Sequence, residues 1–319
     1  MPMYNKSGIA AEASKHGFQR DVFEKVLRLK TVLDYFQEEP ALREHLLLKG
    51  GTAINLTVFS LPRLSVDIDM DYMPNDSKEN MMATRGKISK VVKEYMESEG
   101  YQLSDNSRFS HSLDAFHFLY MNSGGNRDMI KIELNYSLRA HVLQPTRRES
   151  LTDAFGDKSC LYTVHPIEIF AAKANALLSR AAARDLYDFN NLVTSDLFQN
   201  KTEADLLRKT IIFYATISAE TVNKTFDTSA IDSLTFSKIR RDLFPVLTKS
   251  EAKSHFQLEQ YKNAAKEYIH NLMVLTLEEK EYMDRFVKGE YNPELLFSNP
   301  EILSQIENHP MALWKCNAK

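Results

Sequence analysis

Residues 65–72, Ser-Val-Asp-Ile-Asp-Met-Asp-Tyr, constrain this chain more than any other stretch. Val66, Ile68 and Met70 alternate with Asp67, Asp69 and Asp71. A period of two is that of a β-strand, whose successive side chains point to opposite faces. The stretch therefore predicts a strand with one apolar face and three carboxylates on the other. Aspartate is depleted in strands, and like charges on one face repel. Two arrangements accommodate them, a solvated acidic edge or a cation held between the acids. Carboxylates at i and i+2 can hold Mg²⁺ or Mn²⁺, with substrate phosphates completing the shell.

Glycine narrows the choice. The 319 residues include only ten glycines, about half the usual share of roughly 7%. Four of them form two pairs, Gly50-Gly51 and Gly124-Gly125. Neither G-x-G-x-x-G nor G-x-x-x-x-G-K-[ST] occurs, which argues against the glycine-rich nucleotide folds. Lys49-Gly50-Gly51-Thr52 reads as a turn between a helix and the apolar segment 53–59. Glycines there let the backbone approach a ligand, and N–H groups at a helix start favour phosphate. Thr52 adds a hydroxyl. A glycine turn followed by an acidic strand is complementary, one part for a triphosphate and the other for its metal.

Other chemistries are excluded. No H-E-x-x-H is present, and His111 and His117 are too isolated for zinc. No G-x-S-x-G elbow surrounds a serine. Cys160 and Cys316 read as two reduced thiols. The net charge of -3 does not suit a globally basic nucleic-acid binder. Residues 1–20 lack the apolar stretch of a signal peptide, and no run approaches the ~20 apolar residues of a membrane span. A soluble, cytoplasmic protein without membrane contact is expected.

Periodicity divides the chain in two. Residues 19–48 predict a long helix, punctuated by Pro40 and followed by a short one over about 41–48. Residues 79–99 predict another, ended by Gly100. Segments 115–121 and 129–136 predict strands of an antiparallel hairpin around Asn122–Asp128. From His165-Pro166 onward the pattern is helical, with 167–193 as one run or a helix pair, and further helices over 202–222, 236–244, 250–273 and 276–288. No strand pattern is convincing after Tyr162. The expected organisation is an α+β domain, 1–150, then an all-helical domain, 151–319, with the boundary between about 145 and 165.

Two further constellations bear on chemistry. In the second hairpin strand Glu133 alternates with Ile132 and Leu134, so it faces the polar side. It is either a solvated strand residue or, beside the Asp67 strand, a third acid that helps bind metal and accepts a proton from an attacking hydroxyl. On one unbroken helix at about 100° per residue, Lys173, Arg180, Arg184 and Asp188 fall within about 60° of one another. This is either a solvated basic stripe or part of a site, and a break near Arg180 brings Asp185 to the stripe instead. Arg139, His141, Arg147 and Arg148 cluster at the boundary, as a solvated linker or a contact for RNA phosphates.

The glycine turn, the D-x-D strand and the later strand acid together resemble the polymerase-β-type nucleotidyltransferase superfamily over roughly residues 45–136. The longer signatures are similar to the AbiEii/AbiGii toxin family. They are Lys49-Gly50-Gly51-Thr52-x-Ile54, Arg63-x-Ser65-x-Asp67-x-Asp69, Lys173-x-x-Ala176-x-x-x-Arg180 and Arg184-Asp185-x-x-Asp188. Ile54 stands where the family commonly has Leu. The resemblance implies a polymerase-β-like domain, a mixed sheet with flanking helices, followed by the helical domain. Asp67 and Asp69 match the metal pair, although Asp69 and Asp71 form an alternative register. Gly50, Gly51 and Thr52 match the nucleotide-binding turn, with Ser65, Arg63 and Arg180 as further nucleotide-binding positions. Lys173 matches the lysine that neutralises triphosphate charge, and Asp188 the final motif acid, with Asp185 beside it.

The implied activity is transfer of a nucleoside monophosphate from an NTP to a hydroxyl, with Mg²⁺ or Mn²⁺ on Asp67, Asp69 and Glu133. An RNA acceptor, a tRNA end, and a cognate antitoxin of the DNA-binding regulator kind follow from the family. Two alternatives differ in class. A small-molecule nucleotidyltransferase of the antibiotic-modifying kind shares the catalytic half. A nucleotide-binding regulatory module that has lost catalysis usually lacks one D-x-D acid, and both are present here.

Overall fold

The computed structural model describes residues 5–218, 222–253 and 256–317. Eight strands form one mixed sheet: β1 (Leu46–Lys49), β2 (Asp67–Tyr72), β3 (Gln102–Leu103), β4 (Arg108–Phe109), β5 (Leu113–Met121), β6 (Arg127–Asn135), β7 (Thr146–Glu149) and β8 (Cys160–Thr163). Their order is β3-β5-β6-β2-β1-β8-β7, with β4 also paired to β5. The acidic strand β2 is therefore central, antiparallel to β1 and parallel to β6. The hairpin β5–β6 forms as expected, with Asn122 Oδ1 accepting from the N–H groups of Gly124 and Asn126 at its tip.

Alternation makes the sheet two-faced. Ile68, Met70, Ile130, Ile132, Leu134, Phe116 and Phe118 are all buried on one face. Helices α1 (Lys6–Lys15), α2 (Arg20–Glu38), α3 (Pro40–Arg43), α4 (Gly50–Ala53) and α5 (Lys78–Ser98) accompany the sheet. Helices α2 and α5 cover the apolar face. Arg28 of α2 lies 4.4 Å from the ring centre of Tyr120, and Lys93 of α5 lies over Phe109 and Phe116. Tyr35 and Tyr95 stack between the two helices. The opposite face keeps Asp67, Asp69, Glu133, Lys131 and His117 only part-covered, as antiparallel and mixed sheets with one packed side permit.

The described helices continue as α6 (Pro166–Arg180), α7 (Ala183–Val193), α8 (Lys201–Ser218), α9 (Ser229–Asp232), α10 (Phe236–Asp242), α11 (Lys249–Lys253), α12 (Leu258–Leu272), α13 (Leu277–Val287), α14 (Pro300–Ile306) and α15 (Pro310–Asn317). The chain forms two compact units. One comprises Met1–Arg139, Pro145–Val164 and Phe244–Ser254, and holds the sheet. The other comprises Ala140–Gln144, His165–Leu243 and His255–Lys319, and its regular elements are helices. The segment 244–254 rejoins the first unit through the Leu64 N–H, which donates to the Val246 carbonyl, and the Lys249 N–H, which donates to the Gly17 carbonyl.

Several sequence expectations need correction. The helix expected over 41–48 ends at Arg43, and Leu46–Lys49 is a strand instead. An apolar run of three leucines lacks a period that separates strand from helix, and pairing with β2 and β8 decides it. Strands β7 and β8 went unread, being four residues each. Of the two forms left open for 167–193, one run or a helix pair, the pair is found, broken at Ala181, whose φ is 44°. The helix expected over 250–273 is two helices, α11 and α12, with 254–255 outside the described residues. Helix 202–222 is seen to Ser218, and 219–221 lie outside the described residues.

The hairpin is anchored to α2 by a buried charge. Glu24 is fully buried and accepts from the Ser123 N–H, the Ser123 hydroxyl and Arg28. Removing one partner of a buried charge pair typically costs about 3–5 kcal/mol, because the other is left in low dielectric. Glu24→Ala is expected to destabilise the sheet-bearing unit by about that amount. Chemical denaturation monitored by far-ultraviolet circular dichroism checks it, and an unchanged midpoint contradicts the anchoring role.

Candidate active site

The site begins where β1 ends. Lys49 is extended, Gly50 has φ +68°, and the chain enters α4 at once. That φ favours glycine, and so does the space. A Cβ on Gly50 would stand 2.7 Å from Asp69 Oδ2, and one on Gly51 would stand 2.6 Å from Arg63 Nη2 and 2.9 Å from Ser65 Oγ. The two glycines thus let the turn lie against β2 and the segment that leads into it. Asn55 clamps the turn, its side-chain amide donating to the Gly51 carbonyl at 2.5 Å and its oxygen accepting from the Arg63 N–H. The Thr52 hydroxyl donates to the Asp67 carbonyl at 2.5 Å. It ties the helix start to the acidic strand. After α4 the backbone widens into a π-type turn over Ile54–Val58.

Register brings the acids together. Lys49 is opposite Asp69 on β1–β2, and Asp69 is opposite Glu133 on β2–β6. Asp67 is opposite Lys131. The third aspartate of the strand is differently engaged. Asp71 is 4% exposed and its carboxylate is 2.5 Å from Lys49 Nζ. All three aspartates share a face with Glu133, whose own carboxylate meets Lys131 at 2.9 Å, and Asp71 is the one that Lys49 engages. Burial pushes the Asp69 carboxyl up, Lys49 opposes this, and the anions Asp67 and Glu133 push it further, to about 6.

A divalent cation would relieve that crowding. Among the described residues no three His, Cys, Asp or Glu side chains gather as a ready-made metal cage. Mg²⁺ does not require one, since it commonly takes one or two carboxylates plus phosphate oxygens and water. The donors here are all oxygen, two acids on one strand with a third across the register. They fit Mg²⁺ or Mn²⁺ and not a soft metal.

The second constellation lies in the helical unit. The left-handed Ala181 ends α6, and α7 starts at Ala183. Lys173 of α6 bonds Asp185 at 2.9 Å and Asp188 at 3.0 Å, and Arg180 bonds Asp185 at 2.9 Å. Asp185 and Asp188 are 2% and 0% exposed. Burial raises the Asp185 carboxyl, but Lys173 and Arg180 outweigh it and hold it below its ordinary value. The unbroken basic stripe is therefore corrected. The break brings Asp185 into the network, and Arg184 leaves it to donate to the Asp242 carbonyl. The boundary cluster is also corrected. His141 is buried 3.6 Å from the Glu168 carboxylate, Arg148 donates to the Thr57 carbonyl, and Arg139 donates to the Tyr136 carbonyl. Only Arg147 of the four is exposed.

Lys49, Asn55 and Lys131 had no assigned role in the sequence, and Asp71 stood there only in the alternative metal register. Lys49 stands in the K-G-G signature and Lys131 alternates with Glu133, so both were visible. Asn55 carries no signal beyond its position four residues after Gly51.

Two tests follow from these charges. A carboxyl whose folded pKa is raised binds more protons folded than unfolded between its ordinary value of 3.8 and about 6. Stability without divalent ions then falls as pH rises through that window. Asp69→Asn is expected to flatten this slope and stabilise the metal-free protein at pH 7.5, as measured by denaturation at pH 4.5 and 7.5. Lys173→Met removes the ammonium shared by two buried aspartates and is expected to cost about 3 kcal/mol, read from the thermal transition. Equal stability of wild type and Lys173→Met contradicts the network's role.

Comparison with known proteins bears on the fold and the family. No curated protein matches the sequence. Among solved structures the fold is similar to that of MenT4, a nucleotidyltransferase toxin from Mycobacterium tuberculosis H37Rv, with a TM-score of 0.61, 14% identity, and coverage of 97% of this chain and 99% of that one. The family model for the nucleotidyl transferase AbiEii toxin of type IV toxin–antitoxin systems matches residues 33–285. With four-fifths of its length inside that match, the turn and acidic strand included, the chain belongs to the AbiEii nucleotidyltransferase toxin family.

Proposed function

We propose that this toxin transfers a nucleoside monophosphate from an NTP to a hydroxyl of an RNA, at a tRNA end, with release of pyrophosphate. One observation carries the reading. Asp67, Asp69 and Glu133 share the open face of the sheet beside a glycine turn in which Gly50, at φ +68°, lies close against Asp69. Asp67 and Asp69 hold the divalent ion, Mg²⁺ or Mn²⁺. When bound, such an ion neutralises phosphate charge and lowers the pKa of a coordinated hydroxyl. Glu133 accepts the proton of the attacking hydroxyl. Its neighbour Lys131 stands 2.9 Å from that carboxylate.

The N–H groups of Gly50, Gly51 and Thr52 receive phosphate oxygens at the start of α4, where the peptide dipoles favour anions. Arg63 and Ser65 back this turn, so they set its position. Lys173, Arg180 and Asp188 are carried over from the family signature, with Lys173 as the ammonium that Asp185 and Asp188 hold in position. The cytoplasm, where NTPs and tRNA meet, is the proposed location. A DNA-binding regulator is the proposed antitoxin.

Incubation with each labelled NTP, divalent ion and either total tRNA or small hydroxyl compounds tests the reading. Label is expected on RNA, and its appearance only on a small compound favours an antibiotic-type transferase. Asp67→Ala and Asp69→Asn are each expected to lower transfer by at least 100-fold, on the scale of lost charge stabilisation. Survival of transfer in Asp67→Ala contradicts metal catalysis at this strand. Gly50→Ala is expected to lower transfer by at least tenfold, because the added methyl meets Asp69, with little change in far-ultraviolet circular dichroism.

A further inference from the structure

The carboxylates do not end the polar face. Register carries it across the sheet in rows, because directly paired residues point to the same side. One row runs Lys49, Asp69, Glu133, Ala115, Arg108, over β1, β2, β6, β5 and β4. The next runs Asp67, Lys131, His117. The two sides of the acids differ. Towards β1 lies the glycine turn. Towards β4 lie Lys131, His117 and the exposed Arg108, on the face opposite to α2 and α5. At about 4.8 Å per strand, Arg108 stands three strands, or about 14 Å, from Asp69. Along the way the acids of β2 give way to the paired Lys131 and Glu133 of β6 and then to the exposed cation Arg108 of β4.

We propose that this flank of the sheet, Lys131, His117 and Arg108, is the track for the single-stranded end of the acceptor RNA. This rests on the reading that the acceptor is RNA. An NTP held on the glycine turn occupies the β1 side, so an attacking hydroxyl must come in from the β6 side. The nucleotides behind it then lie across β6, β5 and β4. Their phosphates are polyanionic, and each cation on the track displaces counterions from them. Base identity is not read, because the track offers charge and a flat strand surface. Arg108 is a binding residue remote from the reacting atoms, so its loss acts on acceptor affinity.

The test compares Arg108→Glu with Lys90→Glu in the full chain. Lys90 is 73% exposed on α5, the helix that covers the other face. Arg108→Glu is expected to raise KM for tRNA at least tenfold, with kcat at saturating tRNA and KM for NTP within twofold of wild type. Arg108→Gln is expected to shallow the dependence of log affinity on log salt by roughly 0.7, the share of one phosphate on a single strand. Lys90→Glu is expected to change neither. Equal effects of the two reversals, or an unchanged KM for tRNA in Arg108→Glu, overturn the track and leave the RNA acceptor standing. A loss confined to kcat or to NTP affinity also overturns it. If wild type labels no RNA, the acceptor reading fails and the track fails with it.

Discussion

Three aspartates at alternate positions of one central strand repel one another, and the surrounding structure depends on how that repulsion is managed. Lys49, at the end of the neighbouring strand, takes Asp71. The remaining two are left beside Glu133 of the next strand, and Asp69 is held near half-protonation at about pH 6. Replacing these acids with apolar residues would make a more ordinary strand. Their retention is a local violation of strand preference of the kind that accompanies function. The glycine turn belongs to the same solution. Gly50 lets the backbone pass within reach of Asp69, where any side chain would collide with the carboxylate.

The one-sided sheet converts this cluster into a site. Helices α2 and α5 seal the apolar face and pin the hairpin through Glu24, Arg28 and Ser123. The polar face keeps its charges part-exposed. The helical unit handles charge differently. Lys173, Arg180, Asp185 and Asp188 form a mutually neutralising group that fixes how α7 follows α6. Both constellations lie within residues 33–285, the stretch that the toxin-family model matches. No described helix is long and apolar enough to cross a membrane.

Legibility followed the strength of local pattern. The alternation at 66–71 and the hairpin around Gly124-Gly125 were visible because period two and turn residues act locally. Helix α5 was visible because Gly100 closes it with a φ of 81°. Leu46–Lys49 was misread because a short buried apolar run has no period. Arg184 was misplaced because a single left-handed residue, Ala181, rotates everything after it. An alanine gives no warning of that conformation, whereas a glycine would have. His141 was misjudged as a surface cation, because only the buried Glu168 carboxylate explains its position.

The sequence by itself determined that β2 would carry carboxylates on one face, that a glycine turn would precede it, and that strands would give way to helices. These follow from side-chain alternation, turn chemistry and helical spacing, all of which operate over a few residues. Only the tertiary structure decided which aspartate is spent on Lys49, that β6 and not another strand lies beside β2, and that Arg108 falls in the same row as Asp69. Strand order and register depend on pairing between segments as far apart as Leu48 of β1 and Thr163 of β8. No local pattern encodes that pairing, because it is selected by burial of the whole apolar face at once.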